Sequence, residues 1–189
     1  MASVDASVSA RDNALARVSA GHLHQCLWLP ETQDHPRLRV TFATTSNFDD
    51  ETPPAILFIP PMFGSRWLVL EAEKLARDSG VRVVIPDRYC FHKASCRIKT
   101  VRCVSDKYFR PGMGGSTPVS LDIRMQVWLE TVPALLRKIN VQHVSIVTHS
   151  AGGIYTLNTL AKLRSVLDPK SPYVALLGAH NKAVPLGST

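Results

Sequence analysis

The sequence predicts an α/β fold in which a mostly parallel sheet carries helices on both faces, and two observations predict it. Short, predominantly apolar runs recur at 55–59, 81–85, 144–147 and 173–177, the length and character of buried strands, and the first is apolar throughout. Between them lie longer segments whose apolar residues step by threes and fours, as on one face of a helix. Strands alternating with helices pair in parallel through crossover connections. A chain of 189 residues with 45% hydrophobic content can bury one sizeable core, so a single domain is expected.

The first candidate strands are 22–29 and 37–43, joined by a turn over 30–36 that is bounded by Pro30 and Pro36. In the second, Leu38, Val40 and Phe42 alternate with polar neighbours, which predicts a sheet with one wet face. A polar stretch, 44–54, leads into strand 55–59, which Pro60 and Pro61 close. Trp67, Leu68, Leu70, Ala72, Leu75 and Ala76 then recur at helical spacing up to a stop at Gly80, and strand 81–85 follows. Leu121, Met125, Trp128, Val132, Leu135, Leu136 and Ile139 predict a long amphipathic helix with a local kink at Pro133. Strand 144–147, helix 152–167 and strand 173–177 complete the series.

Residues 1–21 form an N-terminal tail that carries Asp5, Arg11, Asp12 and Arg17 and has no apolar run of a secretory signal's length. No stretch approaches the roughly 20 apolar residues that cross a bilayer. A soluble, cytoplasmic chain without a membrane span is expected. The formal charge of +7 raises the question of nucleic acid, but its distribution argues against that partner. Residues 89–110 hold six of the 22 basic residues and one of the 15 acidic ones, leaving 16 basic against 14 acidic elsewhere. The same segment holds Cys90, Cys96 and Cys103 and contains neither Gly nor Pro, so it is compositionally foreign to its surroundings. With His92 these thiols invite a zinc reading. Their spacing of six and seven is wider than the two to four usual in structural zinc pairs, so no metal is expected. Free thiols are expected rather than disulfides.

Chemistry concentrates where strand 144–147 runs into the next helix through Thr148, His149, Ser150, Ala151 and Gly152. A serine on such a corner needs small flanking residues, because the backbone passes closely. Gly152 meets that need and Thr148 departs from it. A serine two residues before a glycine often only caps a helix. The strand before it and the helix after it favour a nucleophile on a tight turn. Here the sequence resembles the nucleophile elbow of the α/β-hydrolases. The resemblance makes Ser150 the catalytic nucleophile, Thr148 and Gly152 the residues that shape the elbow, and the Ala151 N–H one donor of an oxyanion hole. It gives His149 a structural or pocket-lining role.

A second match follows strand 55–59, where this family has a His-Gly loop that completes the oxyanion hole. Pro60 and Pro61 stand there in this chain, and the alignment makes Met62 the second donor. A third match is interrupted. The family pattern D-R-P-G-x-G-x-S begins at Asp87 and Arg88 and resumes at Pro111, running through Gly112, Met113, Gly114 and Gly115 to Ser116. Removing 89–110 restores it without a gap, so this segment is read as a translated unspliced intron or a lineage-specific insertion. A nucleotide-loop reading of 112–115 lacks the strand and helix context it needs.

The resemblance covers 22–177, a partial α/β-hydrolase domain, with 178–189 a tail unlike the family. It implies an incomplete α/β-hydrolase fold and hydrolysis of a carboxylic ester or similar acyl bond, with a small-molecule substrate and no cofactor. The family order of nucleophile, acid and histidine is not met. After Ser150 only Asp168 and His180 could serve, and neither is where the family places it. Inactivity of this chain is therefore expected. The alternative is a non-catalytic relative that binds a ligand or partner. Strand 173–177 would be left as an apolar edge through which copies self-associate.

Overall fold

In the computed structural model, which describes residues 9–88 and 115–178, six strands form one sheet. They are β1 (Gln25–Leu29), β2 (Leu38–Thr44), β3 (Ala55–Ile59), β4 (Arg82–Pro86), β5 (Ser145–His149) and β6 (Val174–Leu177), in the order β1-β2-β4-β3-β5-β6. Only β2 runs against its neighbours; the β4–β3, β3–β5 and β5–β6 pairs are parallel. The helices are α1 (Ala10–Val18), α2 (Val69–Asp78), α3 (Arg124–Lys138) and α4 (Gly153–Lys162).

The predicted architecture, a mostly parallel sheet covered on both faces, is present. On one face Val69 and Ala76 of α2 pack with Leu23, Ala43, Val83 and Ile85. On the other, Val127, Trp128 and Val132 of α3 and Tyr155 of α4 pack with Val40, Phe42, Leu57, Ile59, Val84 and Ile146. The alternation of β3 feeds both: Ala55, Leu57 and Ile59 enter the larger cluster while Ile56 and Phe58 lie against the smaller. This two-sided burial explains the unbroken apolar run.

Several elements depart from the sequence expectations in detail. Gly21–Leu23 forms a 3₁₀ turn, so β1 starts at Gln25 and not at 22. In β2 the expected wet face is confined to Arg39, because Thr41 and Ala43 are covered as well. A 3₁₀ turn over Arg66–Leu68 delays α2 to Val69 and shifts its phase, burying Val69 and Ala76 and leaving Leu75 69% exposed. Leu121 precedes α3 and is exposed, while Pro133 lies inside that helix. α4 ends at Lys162, where Leu163 leaves helical geometry, and a 3₁₀ turn (Arg164–Val166) replaces the last expected turn. Within the expected N-terminal tail, α1 is capped by Ser9, whose hydroxyl accepts from the Asp12 N–H at 3.2 Å, and it has no buried residue.

The foreign segment 89–110, its three cysteines and the glycines at 112 and 114 lie outside the described residues. The residues on either side of it meet on β2. The Ser116 hydroxyl donates to the Asp87 carbonyl (3.0 Å) and accepts from the Thr41 N–H (3.0 Å), and the Thr117 N–H donates to the Arg39 carbonyl (2.8 Å). β6 is an edge of the described sheet, with Tyr173, Leu176 and Leu177 exposed.

Candidate active site

β5 ends at His149, and Ser150 opens a 3₁₀ turn (Ser150–Gly152) that continues into α4. Ser150 is exposed and has φ +51°, a left-handed conformation that costs a residue with a side chain on the order of 1–3 kcal/mol. The surrounding packing enforces it. A Cβ at Gly152 would stand 2.3 Å from Thr148 Oγ1, 2.6 Å from the Ile59 carbonyl oxygen and 3.0 Å from that of Pro60. The elbow therefore rests directly on the end of β3. Thr148 fits because its buried hydroxyl turns the close approach into a hydrogen bond, donating to the Ile59 carbonyl at 3.2 Å. The His149 ring lies on the β6 side, where a Cβ on Gly178 would be 3.0 Å from Nε2.

The parallel register pairs Ile59 with Thr148, so the loop leaving β3 and the elbow leaving β5 share the carboxyl edge of the sheet. In that loop the Gly64 N–H donates to the Pro61 carbonyl at 2.9 Å, and Met62 and Phe63 are 60% and 63% exposed. A Cβ at Gly64 would fall 2.6 Å from Pro61 Cδ and 2.8 Å from Pro60 Cβ, which is why glycine stands there.

Beneath the loop, buried Asp87 accepts from the Thr41 hydroxyl (2.6 Å), the Arg66 N–H (2.7 Å) and the Arg66 guanidinium (2.6 Å). Burial pushes its carboxyl above the usual value, against the opposing pull of Thr41 and Arg66. Next to it the Arg88 guanidinium donates to the Pro61 carbonyl and lies 5.1 Å over the Tyr155 ring. In the sequence Asp87 and Arg88 are legible only as the start of a motif, and Arg66 not at all. Nothing in their spacing announces that they support the loop.

No protein-family model matches the chain, and no curated protein sequence matches it. Solved structures do. A carboxylesterase of Nitrososphaera gargenis superposes with a TM-score of 0.52 at 15% identity, covering 79% of this chain and 44% of its own. A putative hydrolase of Agrobacterium vitis gives 0.51 at 17%, covering 87% and 57%. An epoxide hydrolase of Vigna radiata gives 0.50 at 13%, covering 78% and 39%. The fold is that of the α/β-hydrolases. The chain spans about two fifths to three fifths of the length of these structures.

Within this α/β-hydrolase fold the candidate acid lies at the opposite end of the sheet from Ser150. Asp168 lies between the Arg164–Val166 turn and β6, at the amino end of the parallel strands, and Ser150 is at the carboxyl end. Its carboxylate accepts from the Lys170 N–H (2.8 Å) and the Ser171 N–H (3.4 Å), and the Lys170 bond holds its pKa below the usual value. His180 is outside the described residues. Among the described residues no side chain hydrogen-bonds to the Ser150 hydroxyl. A surface hollow of about 280 Å³, lined by His22, Gln25, Thr44 and Asp49 among others, also belongs to the amino edge. No helix among the described residues is long and apolar enough to cross a membrane.

Proposed function

We propose that this chain carries the nucleophile and the oxyanion donors of a serine hydrolase that acts on carboxylic esters or related acyl bonds. Ser150 Oγ attacks the acyl carbon, and the N–H groups of Ala151 and Met62 receive the developing oxyanion. The observation that carries this reading is the left-handed Ser150 at the strand-to-helix corner, with Gly152 pressed against the Ile59 and Pro60 carbonyls. A functional group held in strained geometry by close packing is typical of an active centre. Exposed Met62 and Phe63 at the same edge favour an apolar acyl group.

A serine hydroxyl is a weak nucleophile until a base takes its proton. Among the described residues neither an imidazole nor a carboxylate is bonded to Ser150. These residues alone therefore leave it unactivated, and free imidazole can supply a base. A fluorophosphonate probe, which phosphonylates activated serines, is expected to label the chain weakly in buffer and faster as imidazole is added. Labelling should map to Ser150 and vanish in Ser150→Ala. Absence of any imidazole-dependent labelling would sink the nucleophile assignment. It would favour the second reading, a non-catalytic relative that binds an apolar ligand or partner at the Met62–Phe63 edge.

A further inference from the structure

An oxyanion hole built from two amides on separate chain segments works only while those segments keep their spacing, because donors must lie about 2.7–3.1 Å from the oxygen they stabilise. Here one donor, the Met62 N–H, is on the loop after β3, and the other, the Ala151 N–H, opens the turn into α4. Within the loop Pro60 and Pro61 contribute no N–H, and the Gly64 N–H donates to the Pro61 carbonyl.

From the geometry we infer that Arg88 is a positioning residue which ties the Met62 loop to α4 and thereby fixes the two oxyanion donors relative to each other. Its guanidinium donates to the Pro61 carbonyl, one residue before Met62, and stacks over the ring of Tyr155, five residues after Ser150. Tyr155 and the backbone that carries Arg88 are both anchored. Tyr155 is 6% exposed and meets Trp128 edge-on at 5.2 Å, and the Trp128 indole N–H donates to Thr159 on the same helix (2.9 Å). Arg88 follows Asp87, which Thr41 and Arg66 hold by three hydrogen bonds through its carboxylate. Arginine suits the place because a planar guanidinium can donate in its plane while its face stacks on a ring; a lysine ammonium cannot match both geometries.

This inference rests on the oxyanion roles proposed above, so its test needs a readout independent of the chemistry. Amide hydrogen exchange at Gly64, followed by NMR in the whole chain, provides one. In Arg88→Met, exchange at Gly64 is expected to accelerate by about tenfold, with the Ile146 amide in β5 unchanged and Arg88→Lys intermediate. Imidazole-assisted labelling of Ser150 should fall in the same order of variants. Unchanged exchange at Gly64 in Arg88→Met overturns the inference. So does an equal acceleration at Gly64 and Ile146, which would mean general destabilisation. If the wild-type chain is never labelled, the nucleophile assignment fails by itself, and Gly64 exchange still decides whether Arg88 holds the loop.

Discussion

Gly152 and Gly153 are adjacent in the elbow, yet a methyl group added to each meets opposite surroundings. At Gly152 it would collide with two backbone carbonyls, which no rotamer change relieves; at Gly153 there is nothing within 4 Å. Gly152→Ala is therefore expected to destabilise the chain by about 1–3 kcal/mol through overpacking. Gly153→Ala, at a helical φ of −55°, should stabilise it by about 0.4–1 kcal/mol through backbone entropy. Denaturant midpoints of the two variants test this, and a loss in both would refute the packing account. Adding Thr148→Ala to Gly152→Ala should not restore stability, because the Ile59 carbonyl remains 2.6 Å from the new methyl. The requirement at 152 was legible in the sequence, since only glycine permits so close an approach. The tolerance of Thr148 was not legible, because it depends on a hydrogen bond to a residue 89 positions away.

At the level of elements, legibility followed the kind of burial. β3 came out with its predicted bounds because both faces are covered and its whole apolar run is strand. The buried face of α2 was read only in part: Leu68, Leu70 and Ala76 lie on the core as expected, but a 3₁₀ turn before the helix shifts its phase so that Val69 is buried and Leu75 exposed, which apolar spacing does not encode. A tie between elements was invisible for a similar reason. Buried His35, in the turn between β1 and β2, faces the Pro36 carbonyl through Nδ1 (2.7 Å) and Glu130 of α3 through Nε2 (2.8 Å). Two acceptors facing both nitrogens favour the imidazolium. Burial alone would lower its pKa, but the Pro36 carbonyl and Glu130, with Asp34 nearby, outweigh this and raise it above the ordinary 6.5. A raised folded-state value means that this stabilisation is full below the unfolded value and is lost as pH rises through the folded one. Glu130→Gln should then cost up to about 1 kcal/mol near pH 5.5 and much less near pH 9. Thermal unfolding of both proteins across that range checks the sign; a penalty that grows with pH would refute it.

For the whole molecule, the fold was readable from strand and helix alternation, and the strand-to-helix corner at Ser150 from its local context, but the supports of the loop after β3 were not. Asp87, Arg66 and Thr41 converge from three elements, a convergence no local pattern contains. The same convergence bears on residues 89–110. Asp87 and Ser116 meet at 3.0 Å beside Thr41, so the chain leaves and re-enters the sheet at one place. Residues 88–115 intervene in the present chain, against six residues once 89–110 are removed and Arg88 is joined to Pro111. Closing the shorter loop on folding costs about 1.4 kcal/mol less, since the entropy grows with the logarithm of length. Deletion also removes most of the net positive charge, six basic residues against one acidic. If the segment is an insertion outside the packing of the domain, the shortened chain should unfold cooperatively at a midpoint equal to or above that of the parent. Gly64 and Ile146 should keep their protection from hydrogen exchange. A shortened chain that fails to fold, or loses protection at both amides, would show that 89–110 supplies contacts the sheet needs, and the reading as foreign sequence would fall.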